Sequence, residues 1–269
     1  MGYKNTGVNI HYYKKNKAMT SKDEKRGRLY RLFRLTATFV FVVAFTYLLV
    51  KGYDFITTDE YFNVKNTRII GNNFVSDNEL ISLMELPEGT NIFKTGIQKL
   101  QKRMSAHPWI KGVLIKRELP NSLLISVEER MPIAVAVYKG RDYLIDSEGV
   151  VLGRRETLLD SRYFPIIRGV DFKGIRFGEE QPPDALVEAL RLLDAIKKKK
   201  ELSQFENVSI DVKRERIVLK LDDYEINMGR GDYEKKLHRF VEVRGDMIDR
   251  GIASKKIDMR FLNKVVIKN

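Results

Sequence analysis

The sequence predicts an α+β protein with a single N-terminal transmembrane helix, a small β-α-α-β-β domain, and then a β-rich domain with a few helices. Three observations carry this. Residues 35–50 form a run without a charge in a chain of which 32% is charged. Between about 60 and 130, two segments with helical apolar spacing lie among segments that alternate apolar and polar residues. From 131 onward, short alternating segments are separated by turn residues. The expected bounds are a basic cytoplasmic tail at 1–34, a transmembrane helix at 35–53, a first domain at 59–130 and a second at 131–269.

The uncharged run from Leu35 to Val50 has sixteen residues. A spanning helix needs about 20. Leu32, Phe33, Gly52 and Tyr53 extend the run if Arg34 and Lys51 snorkel to the headgroups. A buried core helix would carry a polar stripe, and this run has none. A cleaved signal peptide would be followed by a small-x-small pattern, but Lys51-Gly52-Tyr53-Asp54 follows. An uncleaved anchor is therefore expected. Residues 1–34 hold ten Lys and Arg against Asp23 and Glu24, whereas residues 51–64 hold only Lys51. This asymmetry puts the N-terminus in the cytoplasm and the body, from about Asp59, on the far side.

The same distribution argues against nucleic acid. Much of the +13 net charge sits beside the membrane segment, where it acts as a topology and anionic-lipid signal. The body lacks a basic platform interleaved with aromatics. Catalysis is equally unsupported. The chain has no cysteine and three histidines, His11, His107 and His238, none with a metal-spaced partner, and no G-x-S-x-G. No catalytic residue, cofactor or metal is expected.

In the first domain, residues 62–70 read as a strand ending at Gly71. Ser76-Asp77-Asn78-Glu79 is a capping box, in which Ser76 caps the helix and Glu79 reaches back. The helix it opens carries Leu80, Ile81, Leu83 and Met84 and stops before Pro87. A second helix, about 94–106, carries Ile97, Leu100 and Met104 and ends at His107-Pro108. Trp109 to Leu119 then alternates, with Val113, Ile115, Arg117 and Leu119 on one face. Pro120-Asn121 turns the chain into a strand with Leu123, Ile125 and Val127 on one face. Two helices should cover one face of a three-stranded sheet.

The second domain follows without a linker. Strands are expected at 134–138, 143–146, 150–152 and 164–169. A helix opened by Pro182-Pro183-Asp184 buries Leu186, Leu190, Leu193 and Ile196 and ends in Lys197-Lys198-Lys199-Lys200, a solvated cationic end that suits the helix dipole. Strands at 206–213, 216–221 and 223–228 lead to Gly229-Arg230-Gly231-Asp232. That stretch lacks the G-K-[ST] of a phosphate loop and reads as a turn, with Asp232 capping the next helix. The helix carries Tyr233, Leu237, Phe240 and Val241 and stops at Gly251. In the last strand Ile257, Met259 and Phe261 alternate with Asp258, Arg260 and Leu262, and the strand continues through Val265-Val266-Ile267.

The order of the first unit, with Trp109 after a helix and Pro120-Asn121 in the hairpin, resembles a POTRA domain. Several stretches widen the resemblance: Val127-Glu128-Glu129-Arg130-Met131-Pro132-Ile133-Ala134, Tyr143-Leu144-Ile145-Asp146-Ser147-Glu148-Gly149, Ile226-Asn227-Met228-Gly229-Arg230-Gly231 and Ile257-Asp258-Met259-Arg260-Phe261. With the anchor before them, these look like the bacterial FtsQ/DivIB cell-division family, from the membrane helix to the end of the chain. The resemblance implies a non-enzymatic inner-membrane scaffold of the divisome, enriched at the septum, that links early to late division proteins. It implies FtsB-like and FtsL-like coiled-coil partners, and pairing of the last strand with a segment of the FtsB-like one. Other divisome members would dock on the POTRA domain. The chain stops at Asn269 without the long tail of many Gram-positive relatives, which points to a Gram-negative setting.

Carried onto this chain, the resemblance assigns partner binding to Arg260, Phe261, Leu262, Lys264, Val265 and Val266. Phe261 stands where the family usually has Tyr, and Asn263-Lys264 replaces a turn-like Asn-Gly or Ser-Gly pair. The physics is compatible, because an edge strand offers unpaired backbone groups to another strand. The alternative, that Phe261, Val265 and Val266 simply pack the domain, stays open. The first-strand edge, with Val64, Arg68 and Ile70, is a candidate POTRA docking site by strand addition. The rival function is a membrane-anchored POTRA module in envelope protein transport or assembly. POTRA proteins of the outer membrane end in a barrel of many strands, for which too few residues follow 131.

Overall fold

The computed structural model describes residues 21–157, 163–172, 177–214, 216–261 and 264–268. The chain divides after Asp59 into two compact units. The tail at 1–20 lies outside the described residues.

The first unit contains one long helix, α1 (Ser21–Thr58). Its stretch Lys25–Thr58 is long and apolar enough to cross a membrane, and its apolar window is unburied. A free hydroxyl in hydrocarbon is costly, and the helix avoids it locally. Thr36 donates to the carbonyls of Leu32 and Phe33, Thr38 to that of Arg34 and Thr46 to that of Val42, at 2.8–3.1 Å.

The second unit begins with β1 (Asn66–Ile70), α2 (Asp77–Met84), α3 (Ile97–Met104), β2 (Ile110–Glu118) and β3 (Ser122–Glu129). The sheet order is β1-β3-β2, with β1 parallel and β2 antiparallel to the central β3. Leu80 and Met84 of α2 and Leu100 and Met104 of α3 pack on Ile115, Leu123 and Ile125. Ser76 caps α2, its Oγ accepting from the Glu79 N–H at 3.3 Å, while the Glu79 carboxylate lies 3.3 Å from His107 Nε2.

Several elements differ from expectation. The first strand is shorter, because Glu60–Phe62 forms a 3-10 turn and Asn63 bridges to Asn91. The second helix starts late, because the Lys94 and Thr95 amides first close a turn on the Asn91 carbonyl. Leu119 is 62% exposed rather than on the buried face. Arg117 does turn toward the helices, and its guanidinium donates to the carbonyls of Ile92 and Thr95 at 2.7 Å each.

The remaining elements are β4 (Ala134–Tyr138), β5 (Arg141–Ile145), β6 (Val151–Arg154), β7 (Ile166–Arg168), α4 (Asp184–Lys197), β8 (Val208–Lys213), β9 (Arg216–Leu221), β10 (Tyr224–Gly229), α5 (Tyr233–Asp249), β11 (Lys256–Asp258) and β12 (Val266–Lys268). Their strands form one nine-stranded sheet in the order β12-β11-β10-β9-β8-β7-β4-β5-β6. Registers align an apolar row, Ala136–Ile167–Ile210–Leu219–Ile226–Ile257–Ile267, across seven strands. Leu186, Leu193 and Ile196 of α4 and Leu237 and Phe240 of α5 belong to the core that this row lines. Tyr233 ties the helices together, donating to Glu188 Oε2 at 2.7 Å, and burial raises its phenol well above its ordinary pKa.

Two expectations fail here. Asp232 makes no side-chain cap. Its backbone is left-handed (φ 52°), and it is its carbonyl that receives the Lys236 amide. The last strand is not continuous. After Asp258 the chain turns back, and β12 returns antiparallel to β11. Asp258 starts this departure, since its Oδ1 accepts the Arg260 N–H at 3.2 Å and draws the backbone off the strand.

The two sheets meet at consecutive residues. The Glu129 carboxylate accepts the N–H groups of Asn73, Phe74 and Val75, holding the loop before α2. Arg130, 4% exposed, reaches Asp146, Glu148 and Glu180 of the second sheet's loops. Burial lowers the pKa of this guanidinium, but its hydrogen bonds to Glu148 and Asp146 outweigh burial and raise it. The Arg130 N–H donates to the Trp109 carbonyl at 2.8 Å, and Trp109 packs against both neighbouring apolar clusters.

Candidate partner-docking edge

Among the described residues, β12 ends the nine-stranded sheet, with β11 as its one neighbour. Strand geometry sends alternate side chains to opposite faces. Ile267 pairs with Ile257 and closes the apolar row, while Val266 pairs with Asp258 on the other face and is 38% exposed. Val265 is partly buried against the core. The open side of β12 presents backbone groups that a further strand would satisfy, and such a strand would extend the apolar row beyond Ile267.

Beside this edge stands Phe261, 46% exposed. The Arg260 guanidinium lies 5.6 Å from its ring centroid and the Lys264 ammonium 4.8 Å. Both are within cation–π range, so the ring and the two cations support one another in solvent. Arg260 is anchored from below. Its Nε lies 3.0 Å from Asp258 Oδ1 and its Nη2 2.8 Å from Oδ2, and Asp258 is almost wholly buried. A forked pair of this kind fixes orientation as well as charge.

Arg260, Phe261, Lys264, Val265 and Val266 thus gather at one end of the sheet, although Val265 turns inward. Leu262 lies outside the described residues. Two contributors escaped the sequence reading. Asp258 was legible as the acid two residues before Arg260, but only the turn after β11 reveals that it grips that side chain. Ile267 had no signal beyond its alternation, because its place depends on the hairpin register.

At the other candidate site, β1 is an edge strand of the three-stranded sheet. Ile70 is 47% exposed, and Arg68 reaches across β3 to Glu118 at 2.9 Å. Val64 precedes the strand and packs against the core of this sheet instead. Among the described residues, no group of three or more His, Cys, Asp or Glu side chains is placed to hold a metal ion.

The chain matches two families in succession. Residues 62–130 match the POTRA domain, FtsQ-type, and residues 134–260 match the C-terminal part of cell division protein FtsQ/DivIB. The second match ends at Arg260, just before Phe261 and β12. Cell division protein FtsQ of Syntrophotalea carbinolica is 29% identical over 217 residues, covering 78% of this chain and 74% of that protein. That of Myxococcus fulvus is 28% identical over 204 residues, 75% of this chain and 71% of its own. Cell division protein DivIB of Clostridium acetobutylicum is 32% identical over 126 residues, 46% of this chain and 50% of its own. With its apolar N-terminal helix, its POTRA domain and its β-rich C-terminal domain all in this order, the chain belongs to the FtsQ/DivIB family of cell-division proteins.

Proposed function

We propose that this protein is a non-enzymatic divisome scaffold that captures an FtsB-like partner by strand addition to β12. α1 anchors it in the inner membrane, with the basic tail in the cytoplasm and both folded domains in the periplasm at the septum. An FtsL-like protein joins through the FtsB-like one, and the POTRA edge at Arg68 and Ile70 is left for other divisome members. The scaffold so links early to late division proteins. The observation that carries this reading is a short free edge strand at the end of a nine-stranded sheet, flanked by an exposed aromatic between two cations. Main-chain pairing would supply affinity, and Phe261 and Val266 would supply selectivity.

The test is membrane co-purification with the tagged full chain and with a chain truncated after Met259. Small coiled-coil membrane proteins are expected with the full chain and lost with the truncation. Their retention by both chains would move the dock to α1 or the POTRA edge. Their absence from both would remove the scaffold reading.

A further inference from the structure

Gly229 sits at the end of β10, far in sequence from the docking residues, yet it forms the floor under one of them. Its φ is +62°, and a Cβ built there would stand 3.1 Å from Arg260 Cγ and 3.6 Å from Arg260 Cα. That is closer than such carbons ordinarily pack, so the Arg260 stem lies directly on a bare glycine. The turn that presents this glycine is held from inside the domain. Lys236 of α5, 5% exposed, donates its Nζ to the Met228 carbonyl at 2.9 Å and to the Arg230 carbonyl at 3.0 Å. These are the carbonyls on either side of Gly229. A single ammonium therefore fixes the Met228–Gly229 and Arg230–Gly231 peptide groups, which bracket the residue that Arg260 rests on. Burying it is costly, and it lowers the Lys236 pKa from its ordinary value, with Asp232 opposing the shift. A buried lysine whose hydrogen bonds all go to one turn holds that turn in place.

From Gly229 the contact continues outward. The Met259 amide donates to the Asn227 carbonyl at 2.9 Å, which brings the chain after β11 alongside the end of β10. The Arg260 stem then crosses Gly229, its guanidinium forks onto Asp258, and the same guanidinium faces the Phe261 ring. We infer that Lys236 and Gly229 are positioning residues for partner capture, setting the place of Arg260 and, through it, of Phe261. This rests on the reading of β12 and Phe261 as the dock, and adds to it two residues that touch no partner. It also gives the Gly229-Arg230-Gly231 stretch, which lacks the G-K-[ST] of a phosphate loop, a task in the protein's own recognition chemistry.

The test is a double-mutant cycle in the detergent-solubilised full chain, with the co-expressed FtsB-like protein as probe. Gly229→Ala and Lys236→Met are each expected to weaken capture about tenfold, a change of about 1.4 kcal/mol. In an Arg260→Ala background the same changes are expected to cost less than about twofold, because the side chain they position is gone. Gly229→Ala keeps the lysine, so it carries the test alone if Lys236→Met fails to fold. Equal losses in the presence and absence of Arg260 would mark both residues as merely structural and overturn the inference. So would full capture by both variants. Phe261→Asp separates the inference from the reading beneath it. If Phe261→Asp abolishes capture while the other two variants bind normally, the inference alone fails. If Phe261→Asp binds normally, the dock itself is wrong and the inference falls with it.

Discussion

Arg130→Met lowers the stability of the folded body by about 3–5 kcal/mol, the usual cost of removing one partner of a buried ion pair. Arg130 is 4% exposed, and Asp146, 3% exposed, loses the cation that compensates its charge. The Asp146 carboxylate also orders its own loop, accepting the Glu148 and Val150 N–H groups at 2.9 and 2.8 Å, so the disturbance spreads along that loop. Urea unfolding followed by tryptophan fluorescence measures the loss, since the chain has a single tryptophan and Trp109 packs against both apolar clusters at the junction. An Arg130→Met chain as stable as the parent would refute this account of the junction.

The cluster also predicts an acid limb. Hydrogen bonds from Lys111 and then Arg130 hold the Glu148 pKa below its ordinary 4.5. A depressed folded-state pKa stabilises the fold above the unfolded value, and that contribution disappears as pH falls through the folded one. The stability of the parent should therefore drop below about pH 4.5, and Glu148→Gln should flatten that drop. An unchanged acid limb in Glu148→Gln would assign the drop to other carboxylates.

Phe261→Asp is expected to reduce capture of the FtsB-like partner by about 30- to 1000-fold, the range of an interface hot spot of 2–4 kcal/mol. The substitution removes an exposed ring that no apolar cluster contains. It also places a carboxylate beside Arg260 and Lys264, which would turn from the partner to pair with it. Folding should be spared, so the unfolding midpoint stays near that of the parent while the partner disappears from the co-purified fraction. Loss of partner together with loss of fold would show that the ring packs the domain.

Much of this arrangement was legible in the sequence where local chemistry decides it. The uncharged run, the Ser76 cap, and the apolar spacing of Leu186, Leu193, Leu237 and Phe240 each act within a few residues. What was not legible depends on contacts made at long range. The first strand starts late because Asn91, nearly thirty residues on, takes Asn63. The last strand reads as one because Ile257 to Ile267 keeps alternating, but the pull of Asp258 on Arg260 folds it into a hairpin. At the proposed dock, the aromatic and the two cations lie close in sequence, so a sequence reading reaches them. The floor beneath them, Gly229 with Lys236, joins two distant turns, and no periodicity reports such a meeting.

The pairing of the first sheet decides how it would respond if the protein were pulled from both ends. Residues 66–70 of β1 lie parallel to residues 122–126 of β3. Along the chain, β1 follows the N-terminal helix and β3 precedes the second domain. A constricting envelope that pulls on the anchor while a partner holds β12 would draw the N-terminal end of β1 and the C-terminal end of β3 in opposite directions. Parallel neighbours loaded in that way slide rather than peel, so the hydrogen bonds between them bear the tension together instead of one after another. Failure under load is governed by the unfolding rate rather than by equilibrium stability. Were α1 the anchor and β12 the held edge, the five-residue parallel register between β1 and β3 would place the load on the first sheet in shear.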